Sequence, residues 1–230
     1  MSSSAPQPRL SRSAEDYLQA IYGLSEKGEP ASTSAIADVL TVQPASVTGM
    51  VKRMADSGLL EHVPYRGVRL TNQGAREALR VLRRHRIIET YLCERLGFSW
   101  DDVHEEAERL EHAASDRLVE RMAAALEFPS HDPHGAPIPT SAGEIEVTDS
   151  STLADALPGA ELRIRAVRDE DPERLRSMEA KGLTPGARIT VAPEQENTDS
   201  VEVRVGETPG VAHAVRKDLA RRIYVVPAEG

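Results

Sequence analysis

Thr41-Val42-Gln43-Pro44-Ala45-Ser46-Val47-Thr48-Gly49-Met50-Val51-Lys52-Arg53-Met54-Ala55-Asp56-Ser57-Gly58 reads as a turn followed by a single helix. Pro44 suits the first helical position, where its missing N–H would have had no partner, and Gly58 can close the helix in a left-handed conformation. Between them Val47, Val51 and Met54 recur at helical spacing and make the inward stripe. Upstream, Ser32 or Ser34 can start a short helix through Ala35, Ile36, Val39 and Leu40, so two helices meet at a tight turn as a helix-turn-helix. Downstream, Leu59-Leu60-Glu61-His62-Val63 and Val68-Arg69-Leu70 read as strands around the tip Pro64-Tyr65-Arg66-Gly67. Helix-turn-helix followed by a basic hairpin is the winged form of the motif, expected here over 11–75. Its outward side would offer Gln43, Pro44, Ala45, Ser46, Thr48 and Gly49 to base edges and phosphates, with Lys52 and Arg53 further along and Arg66 on the wing.

A net charge of −9 argues against nucleic acid until it is divided along the chain. Residues 1–98 hold 13 basic against 10 acidic residues, leaving 15 against 27 for the rest, and 41–86 alone holds 9 against 3. Positive charge is therefore concentrated on the segment that a phosphate backbone would meet.

Outside the winged segment the pattern is helical. Ser13 can cap a helix beginning Ala14-Glu15-Asp16-Tyr17-Leu18, where Asp16 has a plain reading as the acidic member of a capping box. Thr71 caps a long helix from Asn72 to about Leu96 that carries His85 and Glu89 four residues apart, within reach of one ion or, equally, of Arg84 and Arg86. In Val103-His104-Glu105-Glu106-Ala107-Glu108-Arg109-Leu110-Glu111-His112, the residues His104, Glu108, Glu111 and His112 share a stripe about 100° wide at 100° per residue. An apolar stripe of Val103, Ala107 and Leu110 runs beside it. Imidazoles and carboxylates at the margin of a buried face suggest a divalent cation, and a solvated acidic face is the plain alternative. A further helix from about Ser115 to Leu126 offers an apolar face for packing against a second copy.

His131 and His134 sit in a Pro/Gly connection rather than on a rigid element, which disfavours ligation, and 141–150 reads as a linker. After it the pattern changes to strand-like alternation at 160–167, 187–191, 201–205 and 223–226, with Leu175, Met178 and Leu183 allowing a short helix. That describes a small antiparallel β-barrel over 151–230. A single cysteine, Cys93, excludes an internal disulfide and a multi-thiolate zinc site. No apolar run is long enough to span a bilayer, and the Ser/Pro-rich residues 1–10 read as a disordered tail without the apolar core of a signal peptide, which suggests a cytoplasmic protein.

Taken together, Ala14-Glu15-Asp16-Tyr17-Leu18, Arg84-His85-Arg86 with Glu89, the 104–112 stripe, the 135–139 turn and the terminal barrel resemble the diphtheria toxin repressor family of metal-dependent regulators. Within it the manganese-responsive members are nearer, and the likeness covers 11–228. The resemblance implies a winged helix-turn-helix, a helical metal-binding and dimerisation domain at 76–140, and an SH3-like barrel similar to ferrous-iron-transport A domains. It implies a primary metal site of Asp16, Glu108, Glu111 and His112, and an ancillary site of His85, Glu89, His104 and Asp171, with Glu173 the second choice for the last. Iron-responsive relatives place methionine and cysteine where this chain has Asp16 and Glu108, so oxygen and imidazole donors favour Mn(II), with Fe(II) as the alternative. Gln19 stands where some manganese-type members carry another glutamate. The function so implied is a homodimeric, metal-activated repressor of metal-uptake genes that binds double-stranded operator DNA, with no membrane or organic cofactor. A metalloenzyme or metal-storage protein built on the same His/Glu cluster is the reading from another class.

Overall fold

Ser11, rather than Ser13, starts the first helix. Its hydroxyl accepts from the Ala14 N–H at 3.4 Å, and α1 runs Arg12–Leu24. Counting from Arg12, Asp16 then lies past the first turn, out of reach of the cap, so its capping-box reading falls away. The computed structural model describes residues 10–25, 28–147, 151–193, 199–206 and 211–228; all but Leu10 of the expected tail and the end of the expected linker lie outside these. The chain divides into two compact units, 1–83 with 139–144, and 84–138 with 145–230.

In the N-terminal unit α1 is followed by α2 (Thr33–Val39), capped by Ser32, and α3 (Pro44–Asp56), which opens on Pro44 as expected. Strands β1 (Leu60–Val63) and β2 (Gly67–Leu70) form the hairpin in antiparallel register, Val63 opposite Gly67. Thr71 then caps α4 (Asn72–Leu96) through the Gly74 N–H at 3.0 Å. Leu18, Ile21, Ile36 and Val47 are fully buried and hold the three short helices on one core. The connection between α1 and α2 is tied to the wing, because Ala31 and Val68 exchange both backbone hydrogen bonds at 2.9 Å. Gly67 makes this possible. A Cβ there would lie 2.0 Å from the Ala31 carbonyl oxygen, and its φ of 120° suits only glycine.

In the C-terminal unit the rest of α4 packs with α5 (Val103–Glu111) and α6 (Asp116–Ala125) around Ile87, Ile88, Val103, Ala107, Val119 and Ala123. The barrel sheet has the order β3-β8-β4-β5-β6-β7 and is antiparallel throughout. Its strands are β3 (Ser151–Thr152), β4 (Glu161–Val167), β5 (Arg188–Val191), β6 (Ser200–Val205), β7 (Val211–Arg216) and β8 (Ile223–Pro227), with helices α7 (Pro172–Ala180) and α8 (Lys217–Ala220). The sequence pattern misses β3 and β7. Along β7 only Val215 is buried, so no apolar alternation marks it as a strand.

The segment 130–138 is built into this unit rather than merely connecting its parts. The Val167 N–H donates to the His134 carbonyl at 2.9 Å, and a Cβ on Gly135 would lie 2.1 Å from the Arg165 carbonyl oxygen. Asp101, expected only to open α5, is 5% exposed and pairs with Arg176 of α7 at 2.9 Å, while Trp100 packs on the barrel core. No helix among the described residues is long and apolar enough to cross a membrane.

Candidate metal centre and nucleic-acid interface

Helix periodicity puts His85 and Glu89 on one face of α4, and α5 lays His104, Glu108 and Glu111 along that face. His85 is the centre of the cluster. Its Nδ1 donates to Glu111 Oε2 at 2.7 Å and its Nε2 to Glu89 Oε1 at 2.9 Å. His104 Nδ1 lies 3.0 Å from the same Glu89 oxygen, so His85, Glu89 and His104 present ligand atoms within 4.8 Å of one another. Glu111 carries the arrangement on to His112, whose Nε2 is 3.3 Å from its second oxygen. On the other side His104 Nε2 faces Glu108 at 3.6 Å and Glu170 at 3.9 Å.

Glu89 and Glu111 are each 2% exposed, and a buried carboxylate needs a compensating charge. Here the His85 imidazole, bonded to both, supplies it. Burial alone would lower the His85 pKa, but the Glu89 charge and the hydrogen bonds to Glu111 and Glu89 outweigh this and push it up to about 10. Burial would likewise raise Glu89, yet the His85 charge and its imidazole hydrogen bonds hold it well below the usual carboxylate range. A pocket of nitrogen and oxygen donors that fills with protons is chemically fit for a divalent cation, which demands the same lone pairs.

The ligand sets implied by the resemblance meet this geometry unevenly. Six of the eight residues, His85, Glu89, His104, Glu108, Glu111 and His112, lie on α4, on α5 or at the C-terminal cap of α5. Asp16, half-buried on α1, belongs to the N-terminal unit. Asp171 is otherwise employed: its Oδ1 accepts from the Glu173 and Arg174 N–H groups at 2.9 and 3.2 Å as the N-cap of α7, and Glu173 lies in that helix's first turn. The barrel carboxylate that reaches His104 is that of Glu170, one residue earlier. The sequence held a signal for this, because an aspartate before Pro172 is the natural N-cap and is taken by the helix.

Behind Glu89, His134 and Asp132 form a second acidic and imidazole group, also within 4.8 Å. Protein partners use its atoms. Asp132 Oδ1 accepts from the His134 and Ala136 N–H groups at 2.9 Å, its Oδ2 faces Arg86 Nε at 3.3 Å, and His134 Nε2 donates to the Trp100 carbonyl at 2.7 Å. His134 Nδ1 stands 3.8 Å from Glu89 Oε2 and so backs the carboxylate from behind. Cys93 is half-buried, and burial followed by the Glu89 charge pushes its thiol up to about 12, in keeping with an inert cysteine.

On α3 the residues expected to face a groove, Gln43 to Ser46, Thr48, Gly49, Lys52 and Arg53, are all exposed. The Thr48 hydroxyl donates to the Pro44 carbonyl at 3.2 Å. At the wing tip Tyr65 is fully exposed with a left-handed φ of 62°, and Arg66 beside it pairs with Glu29.

Comparison with known proteins matches this layout segment by segment. The family model described as "Iron dependent repressor, N-terminal DNA binding domain" matches residues 9–68, "Iron dependent repressor, metal binding and dimerisation domain" matches 71–140, and the FeoA domain matches 151–227. The diphtheria toxin repressor of Corynebacterium glutamicum is 33% identical over 219 residues, covering 88% of this chain and 94% of its own length. The chain belongs to the diphtheria toxin repressor family. Another member, the iron-dependent repressor IdeR of Mycobacterium leprae, is 32% identical over 190 residues, covering 77% of this chain and 82% of that one. Among solved structures, one described as "Manganese-dependent transcriptional repressor complex with manganese" is 34% identical with a TM-score of 0.86, covering 94% of this chain and all of the other. A second, of T. acidophilum IdeR, is 30% identical with a TM-score of 0.77, covering 96% of this chain and all of the other. Diphtheria toxin repressor relatives are transcriptional repressors rather than enzymes, so the chain is a metal-dependent, DNA-binding transcriptional regulator, and the enzyme and storage readings are set aside.

Proposed function

We propose that the chain is a homodimeric repressor whose operator binding is switched on by Mn(II). The observation that carries this is the donor chemistry of the site: nitrogen and carboxylate oxygen alone, with no sulfur, which suits a hard divalent ion. Glu108, Glu111 and His112 hold the primary ion together with Asp16, as the resemblance implies. His85, Glu89 and His104 hold the ancillary ion, with Glu170 in the place first given to Asp171. A bound cation supplies the positive charge that protonated imidazole supplies in its absence. Because Asp16 belongs to the winged unit and its partners to the other, this ligand set restrains the two units and narrows the separations available to the pair of α3 helices. Successive major grooves lie about 34 Å apart, so one separation is productive and the rest are not. Leu118 on α6 is 46% exposed and Leu110 on α5 is 38% exposed, apolar surface of the kind that a second copy covers.

The decisive experiment strips the protein of metal and titrates it separately with Mn(II), Fe(II) and Zn(II), following binding to duplexes that it has selected from random DNA. Activation by Mn(II) at the lowest free concentration relative to that ion's cellular supply supports the reading. Full binding by metal-free protein, or activation by Fe(II) alone, removes it.

Replacing Glu170 by alanine is expected to raise the Mn(II) midpoint several-fold, since three protein ligands and water then hold the ancillary ion. Asp171→Ala should instead lower stability by about 1 kcal/mol through the lost cap of α7, with the midpoint unchanged. Mn(II) titrations and thermal unfolding of the two variants distinguish these roles, and the reverse pattern would restore Asp171 as the ligand. On the wing, Arg66→Ala is expected to weaken binding to every sequence alike and to make the plot of log affinity against log salt shallower by about 0.9, the signature of one phosphate contact. A loss confined to the preferred operator would make Arg66 a reader of bases.

A further inference from the structure

Gly49 lies on the outward face of α3. At about 100° per residue it stands opposite the buried stripe of Val47, Val51 and Met54, with Lys52 and Arg53 to either side. This position is on the face expected to meet a groove, and it carries no side chain. Glycine in a helix interior is unfavourable relative to alanine, and no turn or packing demand accounts for it here. A Cβ at this position would meet one neighbour within 4 Å, the Arg53 Nη1 at 3.8 Å, and the glycine has no positive φ. What occupies the vacant surface is Arg53. Its guanidinium lies back across residue 49, one turn towards the helix N-terminus, and its Nη2 is held 3.5 Å from Met50 Sδ.

We propose that Arg53, laid across Gly49, is the residue that reads guanine in the operator, and that Gly49 is the gap that lets it do so. This rests on the DNA-binding role of α3. A guanidinium spread over the outward face of the helix presents paired N–H donors, the pattern that matches guanine O6 and N7 in the major groove. With a long side chain at 49 that space is filled, and Arg53 is turned to the flank of the helix, where phosphates lie. Gly49 is thus a positioning residue and Arg53 the specificity-determining one.

The test is selection from a randomised duplex library by full-length protein at saturating Mn(II), comparing wild type, Arg53→Lys, Gly49→Gln and the double variant. Lysine keeps the charge, so a phosphate contact would survive that change while a bidentate base contact would not. Wild type is expected to select guanine at one symmetry-related pair of positions. Both single variants should lose that preference by about tenfold or more, keep the preferences at other positions, and show no further loss when combined, because both act on one contact. Gly49→Gln favours the helix, so its effect cannot come from unfolding, and a thermal melt confirms this. If both variants select the wild-type consensus, or if Arg53→Lys alone is silent, the inference is wrong and Arg53 is a phosphate contact. A wild-type selection without any consensus would remove the operator-binding reading itself.

Discussion

Metal-dependent operator binding by Glu108→Ala is expected to need at least about a hundred times more Mn(II) than the parent, with the fold untouched. Loss of a group that only supports a ligand already costs 10–100-fold in metal affinity, and Glu108 is proposed to be a ligand itself. Its side chain is 57% exposed and faces His104 at 3.6 Å, so its removal opens no cavity and strands no buried charge. Stability of the metal-free variant should stay within about 0.5 kcal/mol of the parent. His112→Ala is expected to match it in metal response but to be less stable, since His112 is only 12% exposed and lies beside the buried Glu111. Mn(II) midpoints from DNA-binding anisotropy and thermal melts of metal-free protein provide both readouts. A Glu108→Ala midpoint within a few-fold of the parent would take Glu108 out of the primary set.

The second large effect is on pH. His85 holds a proton up to about 10 in the metal-free protein, and Mn(II) needs the lone pair that this proton occupies. Between the ordinary histidine value of 6.5 and about 10, apparent Mn(II) affinity at the ancillary set should therefore climb by up to tenfold per pH unit, with about one proton released per ion bound. The metal-free fold responds with the opposite sign. A raised histidine pKa stabilises the folded state fully below 6.5, and that contribution is lost as pH rises towards 10. Glu89, whose pKa is depressed, contributes above the ordinary carboxylate range, and its share is lost as pH falls through its depressed value. Calorimetric titration in two buffers of different ionisation enthalpy counts the protons. An affinity flat across this window would mean that His85 is not a ligand.

Much of this architecture is legible in the residues because helices announce themselves at both ends. Pro44, Thr71 and Ser115 each start the helix expected of them, and the apolar spacing of α3 gives its buried face correctly, while on α5 Val103 and Ala107 are buried but Leu110 of the same expected stripe is 38% exposed. The barrel is harder to read, since a half-covered strand such as β7 buries one apolar side chain and alternation has nothing to register. The candidate site divides along the same line. Candidate ligands within α4 or within α5 share a rigid helical period, so spacing alone pairs His85 with Glu89 and His104 with Glu111, while the packing of α5 on α4 brings the two pairs together. In 169–171 three successive acids meet three different fates: Asp169 is buried against Arg174 and Arg222, Glu170 faces His104, and Asp171 caps α7. A turn has no period from which to tell them apart, and only the proline that follows favours one assignment. Ser11 and Ser13 posed the same problem at α1, where either hydroxyl suits a cap and packing decides.

Gly135 bears on how this protein can be taken apart and recombined. Every other amino acid has a Cβ, and here that atom would be driven into the Arg165 carbonyl. A chimera that exchanges 151–228 for the barrel of another regulator would meet a strap at 131–138 cut to fit a different surface. Grafts should therefore carry the strap and the barrel together, as one cassette, and a crossover placed in the linker between them is expected to yield two well-made halves that do not mate.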